Sequence, residues 1–207
     1  MTHRAAPDLE GVTSARERIL RVSIERFSSQ GFGGTGVREI ADLATLNVAS
    51  IYHHFPSKEE ILLAIIEETF IAVHEPAKRI VEETTDPARA LVALTKHHIA
   101  VHCERAAETA ISDRELGSLT PEGRLRALEL RDAYEKLWDD LLRLGQNRGV
   151  FHIEDVELVR IAVLTMCSQV ATWYRPEGRV TVDQIANLYA RLVLRLVAYR
   201  SSADAKR

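Results

Sequence analysis

Three hydrogen-bonding side chains stand next to one another at Tyr52, His53 and His54. A phenol and two imidazoles can each donate a hydrogen bond to a phosphate oxygen. No Asp or Glu occurs from residue 43 to residue 58, so a polyanion meets no repulsive carboxylate along this stretch. The pattern predicts a surface that contacts a nucleic-acid backbone.

The residues just before this group have small side chains. Val48, Ala49 and Ser50 would let a helix backbone approach base edges, where a methyl group can touch thymine and a hydroxyl can donate or accept. Ile51 and Phe55 are the apolar positions that would hold the helix on its scaffold. The spacing indicates a short helix that reads a groove.

Three predicted helices position these residues. The first begins at Ser14, a good N-cap, and ends at Gly31. Two short helices follow, over about 37–44 and 48–54, and together they have the pattern of a helix-turn-helix whose second helix enters the major groove. Ser57 begins the next helix, and Lys58 in its first turn is predicted to form a second phosphate clamp.

The stretch 15–62 resembles the TetR family of bacterial regulators. The resemblance is carried, in order and spacing, by Ile19-Leu20, Phe27, Gly31, Thr35, Arg38, Ile40-Ala41, Ala44, Ile51-Tyr52, His54-Phe55 and Ser57-Lys58-Glu59. It implies an all-α homodimer with a three-helix DNA-binding head and a helical body for ligand binding and dimerisation. The head is expected over residues 12–58 and the body over 59–201, with flexible tails at 1–11 and 202–207.

The resemblance also implies roles for single residues and partners. The expected partners are a double-stranded DNA operator and a small-molecule effector. The residues expected to contact the DNA backbone are Thr35, Tyr52, His54 and Lys58, and those expected near base edges are Val48, Ala49, Ser50 and His53.

Three positions depart from the family pattern. Gly36 stands where Thr or Ser is usual, which puts one backbone contact or cap in doubt, and Thr45 replaces the usual turn glycine. Asn47 replaces Ser or Thr but can cap the recognition helix equally well. None of these changes breaks the expected geometry.

The rest of the chain is patterned as long helices without strand signals. They are predicted over about 57–83, 87–108, 121–149, 155–173 and from Thr181 to a frayed end near residue 201, with an uncertain short piece at 112–119.

The last two helices each carry two apolar stripes. In the final helix these are Ile185, Leu188, Leu192, Leu196 and Tyr199, beside Ala186, Tyr189, Val193 and Val197. A surface helix normally has one apolar face, so two faces on consecutive helices need two partners. We expect a two-fold four-helix bundle that joins two copies of the chain; fully buried helices in a monomer are the alternative.

An effector site is expected among the middle helices. Its candidate residues are Phe70, His102, Tyr134, Leu137, Trp138, Met166, Trp173 and Arg175, and ordinary core packing is the alternative for each. The segments 102–116 and 173–178 are similar to those of TetR members that sense acyl-CoA thioesters. This similarity implies an acyl-CoA effector, for which Arg105 or Arg175 would meet a CoA phosphate; an unrelated hydrophobic effector or no effector is the alternative.

His98 and His102 are four residues apart and share a helix face, as two metal ligands would. A closed zinc site needs four ligands, and the sequence offers two in register. A metal-responsive regulator is therefore an alternative, beside polar histidines that line a pocket.

Enzyme motifs are missing from the sequence. It has no G-x-S-x-G elbow, no phosphate-binding glycine loop after a strand and no H-E-x-x-H pair, so we predict no catalytic site, no metal and no cofactor. A helical enzyme or a scaffold without DNA binding remains as an alternative.

Composition is that of an ordinary globular chain, with 207 residues, 46% hydrophobic and 28% charged. No apolar run approaches the roughly 18–20 residues that cross a bilayer, and the N-terminus lacks a signal-peptide core, so no membrane partner and a cytoplasmic location are expected.

Cys103 and Cys167 are expected to be reduced thiols packed in helices. Residues 1–58 carry seven Lys or Arg and six Asp or Glu, a net charge of +1, whereas the remainder carries twenty and twenty-four, a net charge of −4.

Overall fold

A computed structural model of the protein describes residues 14–198. Within that range the chain forms ten α-helices and no strand, which confirms the predicted all-α class. The helices are α1 (Ala15–Gln30), α2 (Val37–Leu43), α3 (Val48–His54), α4 (Lys58–Glu83), α5 (Pro87–Glu104), α6 (Ala106–Arg114), α7 (Pro121–Asn147), α8 (Val156–Ser168), α9 (Val170–Trp173) and α10 (Val182–Leu196), and a 3₁₀ turn spans Leu116–Ser118.

Side-chain caps set most of the helix starts. The Ser14 hydroxyl accepts from the Glu17 amide, and the Asp86 carboxylate accepts from the first amides of α5. Thr181 and Gln184 form a reciprocal capping box on α10. Ser14 was predicted as a cap and Thr181 as the start of the last helix, because a cap and the residue three positions later are local signals.

Two predicted helices are interrupted in the structure. The helix expected to reach residue 108 ends at Glu104, because Arg105 has φ −118° and ψ 41°, outside the helical region. The helix expected to reach Trp173 is divided at Gln169 into α8 and α9. Neither break contains Gly or Pro, so the sequence has no helix-breaking residue that would predict it.

The turn between α2 and α3 carries a strained residue. Thr45 has φ 55°, a left-handed conformation that is rare for a β-branched side chain. The following amide, of Leu46, donates to the Ala41 carbonyl at 2.9 Å and closes the turn. The substitution of a turn glycine by threonine is therefore accommodated at a cost of roughly 1–3 kcal/mol.

The described chain divides into two compact units. The first contains residues 14–69 and 107–129, and the second contains residues 70–106 and 130–198. This division differs from the predicted head and body, since α6 and the start of α7 share the compact unit of the helix-turn-helix. The tail segments and the ends of the predicted domains, together with Tyr199, lie outside the described residues.

The first unit has a core made by side chains from α1 to α4, α6 and α7. Its fully buried members include Ile19, Val22, Phe27, Ile40, Ile51, Ile61, Leu62, Ile66, Ile111 and Ala127. Because Ile51 belongs to this core, α3 is anchored to the scaffold as predicted.

The second unit has its own core, in which α5 packs against α10 and α8. Its members include Leu91, Leu94, Ile99, Trp138, Leu142, Phe151, Val163, Cys167 and Val193, all with no exposed surface or about 1%. Both cysteines are free and buried, in agreement with the prediction.

One helical stretch contradicts the expectation about apolar runs. Val156–Trp173 spans 18 residues with a mean hydropathy of 1.2 and only 22% of it is buried, so by length and composition it meets the requirement for a membrane-crossing helix. The stretch is interrupted at Gln169 and carries Glu157 and Arg160. Its exposed apolar side chains are Leu158, Ile161 and Trp173, on a helix that was predicted to face a second copy of the chain.

Gly145 lies in α7 directly beneath the ring of Phe151. A Cβ at this position would stand 2.0 and 2.2 Å from two ring carbons of that side chain. Alanine normally favours a helix interior by about 1 kcal/mol over glycine, but here the clash reverses the sign.

We expect Gly145→Ala to lower the free energy of unfolding by roughly 1–3 kcal/mol, measured by chemical denaturation. Gly117→Ala is the matched control, because nothing lies within 4 Å of the added Cβ, and it should change stability by less than about 0.5 kcal/mol. Equal stability of the two variants would contradict the close packing of α7 on Phe151.

Candidate functional site

Helix α3 presents most of the predicted DNA-contacting side chains to the outside. Ile51 and Phe55 are buried on its inner side, whereas Tyr52 is 51% exposed. Ala49, His53 and His54 are also exposed, and Val48 and Ser50 are half-buried. The arrangement leaves one continuous outer face that combines small and polar groups.

Asn47 fixes the start of this helix. Its side-chain oxygen accepts from the Ser50 amide at 2.8 Å and from the Ser50 hydroxyl at 3.0 Å. The cap therefore replaces the usual Ser or Thr, as predicted, and it orients the Ser50 side chain at the same time. The Ser50 oxygen keeps free lone pairs, so it can still accept a hydrogen bond from a base.

Thr35 is not brought to this surface. Its side chain is 2% exposed, and its hydroxyl donates to the Gly31 carbonyl at 2.9 Å. The backbone amide of Thr35 is also used, in a 3.3 Å bond to the Phe32 carbonyl. The geometry gives Thr35 the role of bracing the loop before α2 and does not favour the predicted contact with DNA.

Lys58 also points inward in this structure. Its ammonium donates to the carbonyls of Phe32 and Thr35 at 2.8 and 2.9 Å, and it lies 4.1 Å from the centre of the Phe32 ring. A lysine with two carbonyl acceptors and an aromatic face is stabilised where it is. These contacts tie the loop to α4 and do not favour the predicted phosphate clamp.

Arg38 is an exposed cation that the predicted site left out. It lies in the first turn of α2 and has no hydrogen bond or ion pair with another described residue. Other arginines of this unit are engaged, such as Arg26 beside Glu39 and Arg16 on Glu68. The sequence could have indicated Arg38 as a site residue, because it is the one basic residue of α2, the helix that supports α3.

The second unit gathers aromatic and imidazole side chains into one buried cluster. His98 stacks on His102 with ring centres 4.0 Å apart, and it lies 5.8 Å from the rings of Tyr134 and Trp138. Three of the predicted effector residues thus meet around His98, which the predicted effector set did not include. We call His98, His102, Tyr134 and Trp138 the histidine cluster.

Hydrogen bonds fix the rings of the histidine cluster. His98 Nδ1 lies 2.8 Å from the Tyr134 hydroxyl, and its Nε2 lies 3.1 Å from the Ser168 hydroxyl. His102 Nδ1 bonds to the His98 carbonyl at 2.9 Å. The Trp138 indole N–H is buried without a well-formed hydrogen bond, although it approaches the Tyr134 hydroxyl.

The cluster is neutral. Burial lowers the pKa of His98 well below 6.5, and the neighbouring His102 and His97 lower it further. Burial lowers the pKa of His102 as well, partly offset by its bond to the His98 carbonyl. Burial likewise raises the pKa of Tyr134, so its hydroxyl remains protonated.

The geometry argues against the metal alternative. Both ring nitrogens of His98 are engaged by hydroxyl groups, and stacked rings do not aim their nitrogens at one point. Among residues 14–198 no group of three or more His, Cys, Asp or Glu side chains is arranged to hold a metal ion.

The remaining effector candidates lie elsewhere. Met166 and Leu137 pack against the core of the second unit, Phe70 is half-buried, and the exposed Arg175 donates to the carbonyls of Tyr174 and Thr172. Trp173 is 45% exposed. It lines an open groove of about 610 Å³ with Arg179, Val180, Gln184, Ile185, Asn187, Leu188, Tyr189 and Arg191.

Two family profiles match the chain. One, described as bacterial regulatory proteins of the tetR family, matches residues 19–65, and the other, described as a tetracyclin repressor-like C-terminal domain, matches residues 84–197. The HTH-type transcriptional repressor KstR2 of Rhodococcus jostii is 34% identical over 201 residues, which is 94% of this chain and 96% of that protein.

Solved structures show the same similarity. The ketosteroid transcriptional regulator KstR2 of Mycobacterium tuberculosis aligns with a TM-score of 0.83 and 28% identity, over 96% of this chain and all of that one. AibR, solved in complex with isovaleryl coenzyme A and operator DNA, aligns with a TM-score of 0.79 and 25% identity, over 90% of this chain and all of that one.

The neutral histidine cluster predicts a loss of stability in mild acid. A histidine whose folded pKa is depressed contributes stability that is present above the unfolded pKa near 6.5 and is lost as pH falls toward the folded value. Between pH 7.5 and pH 5.5 the loss can reach at most about 1.4 kcal/mol for each histidine that stays neutral in the folded state over that range.

Denaturation at the two pH values would measure this effect. We expect the double variant His98→Gln, His102→Gln to lose less stability between pH 7.5 and 5.5 than the unmodified protein. Tyr134→Phe is the matched control, since it removes a partner of His98 but keeps both imidazoles, and it should retain the pH dependence. An unchanged pH dependence in the double variant would contradict the buried neutral state.

Proposed function

The chain belongs to the TetR family of bacterial regulatory proteins, and from this premise we propose that it is a ligand-responsive transcriptional repressor. It would bind a near-palindromic operator as a homodimer and release it when a small molecule binds the body. The observation that carries the proposal is the outer face of α3, which exposes Tyr52, His53 and His54 on a helix anchored by Ile51. A regulator of this kind acts where the chromosome is, in the cytoplasm.

We propose two classes of DNA contact for the head. Val48, Ala49, Ser50 and His53 would lie at base edges, because they occupy the start and centre of the outer face of α3. Tyr52 and His54 would contact phosphates, and Arg38 would add a charged phosphate contact from α2. Thr35 and Lys58 would act indirectly, by holding the loop that orients these two helices.

The homodimer would form through α8 and α10. Leu158 and Ile161 on α8 are 64% and 46% exposed, and large exposures of this kind mark an interaction surface when they cluster. On α10 the exposed members are Leu188, Leu192 and Leu196. Two such helices from each copy would make a four-helix bundle that covers the apolar side chains.

The effector would be an acyl-CoA thioester. AibR was solved with isovaleryl coenzyme A, and KstR2 is named a ketosteroid regulator. The groove beside Trp173 supplies matching chemistry, because Trp173 and Tyr189 offer apolar surface while Arg179 and Arg191 can pair with phosphates. Its Leu188 side would border the proposed dimer interface.

We expect Tyr52→Phe to weaken binding to a selected operator and to an unrelated duplex by the same factor. A lost phosphate hydrogen bond costs about 0.5–1.5 kcal/mol, which is roughly 5- to 150-fold for a dimer that uses it twice. Fluorescence anisotropy with a duplex selected from a random pool measures both affinities, and Tyr174→Phe in the body serves as the control. A change in base preference alone would contradict the phosphate role.

We expect Leu192→Glu to convert the dimer to a monomer, because it places a charge in the proposed four-helix bundle. Light scattering coupled to gel filtration gives the mass directly. Leu125→Glu is the matched control, since Leu125 is 59% exposed on α7 and lies outside the proposed interface. A dimer that survives Leu192→Glu, or is lost with Leu125→Glu, would show that the interface lies elsewhere.

A further inference from the structure

We propose that Glu115 is a positioning residue for the DNA-binding helices, although it lies 60 residues beyond the helix-turn-helix. It follows α6 directly and belongs to the compact unit that contains α1, α2 and α3. The inference rests on the proposed function, because positioning matters only if α3 binds DNA. Glu115 would not itself touch the operator.

The contact is a hydrogen bond to the loop between α1 and α2. One carboxylate oxygen of Glu115 accepts from the Phe32 amide at 3.3 Å, and the other accepts from the Ser118 hydroxyl at 3.0 Å. The first oxygen would stand 3.7 Å from a Cβ at Gly31, which places the carboxylate against the turn that ends α1. Beside it, Arg114 donates to the Ser28 carbonyl at 3.4 Å.

Lys58 holds the same residue on its carbonyl side. Its ammonium bonds to the Phe32 carbonyl and lies over the Phe32 ring, which also packs edge-on against Phe27 at 5.3 Å. The two peptide bonds of Phe32 are therefore fixed by two different segments of the chain. We call Glu115, Phe32 and Lys58 the loop clasp.

The loop clasp restrains a loop that is rich in glycine. Gly33 and Gly34 follow Phe32 and are exposed, and glycine has the largest backbone freedom to lose when a loop is ordered. Val37 begins α2 only five residues after Phe32, and α3 packs on α2. Fixing Phe32 therefore limits the orientations that the recognition helix can adopt.

The proposal is tested with Glu115→Ala and Glu115→Gln in the full-length chain. Amide hydrogen exchange reports on residues 31–36, anisotropy with the selected duplex reports on affinity, and thermal denaturation reports on global stability. We expect Glu115→Ala to speed exchange at Phe32 several-fold and to weaken duplex binding about 5- to 20-fold, with little change in the melting temperature. Glu115→Gln keeps a carbonyl acceptor and should restore both.

Two controls accompany these variants. Glu122→Ala removes an exposed acidic side chain from the first turn of α7 and should alter neither exchange nor affinity. Ser118→Ala removes only the hydroxyl that supports Glu115, so it should change exchange and affinity in the same direction by a smaller amount. It keeps the proposal testable if Glu115→Ala does not fold.

The outcomes separate the clasp from the proposed function. Unchanged exchange at Phe32 in Glu115→Ala would overturn the clasp, and faster exchange with unchanged affinity would overturn its positioning role. If the unmodified protein selects no duplex at all, the proposed function fails and the positioning role fails with it. A loss of affinity that Glu115→Gln does not restore would contradict a role through hydrogen bonding.

Discussion

A seven-residue helix does not hold its shape in water unless other parts of the chain support it. Helix α3 has this length; its Asn47 cap closes its first turn, and the buried Ile51 and Phe55 anchor it to the rest of the head. Its outer residues can therefore be polar, since apolar packing is confined to two positions. The capacity to read DNA follows from how firmly the neighbouring turn and loop hold this short element.

The loop before α2 is held by a basic and a polar side chain that the sequence pattern predicts to contact DNA. Lys58 and Thr35 instead bond to carbonyls of this loop, so the charge of Lys58 stabilises the head itself. With a net charge of only +1 over residues 1–58, one head has a weak electrostatic attraction for phosphates. Two heads on one operator add their contacts without a second loss of translational freedom, which is why dimerisation matters for affinity.

The parts of the fold that were predictable from sequence depend on short-range signals. Caps such as Ser14, Asn47 and Asp86 act over three residues, so the starts of α1, α3 and α5 and the bounds of α3 were predicted correctly. The inward course of Lys58 could not be predicted, because its acceptors lie 23 and 26 residues away. The same holds for Glu115 on Phe32 and for the inclusion of residues 107–129 in the head's compact unit.

The body differs from the head in the burial of its side chains. Some of its polar side chains, such as His98 and His102, are buried, whereas some of its apolar side chains, such as Leu158 and Leu188, are exposed. His98, Tyr134 and Trp138 are buried with their ring centres 5.8 to 6.3 Å apart, so a ligand that entered between these rings would displace them. Displacement costs the hydrogen bonds of His98 and the packing of three rings, which disfavours the open form in the free protein. The open groove at Trp173 requires no such opening, but an effector bound there would shift the population only if it bound one of the two states more tightly than the other.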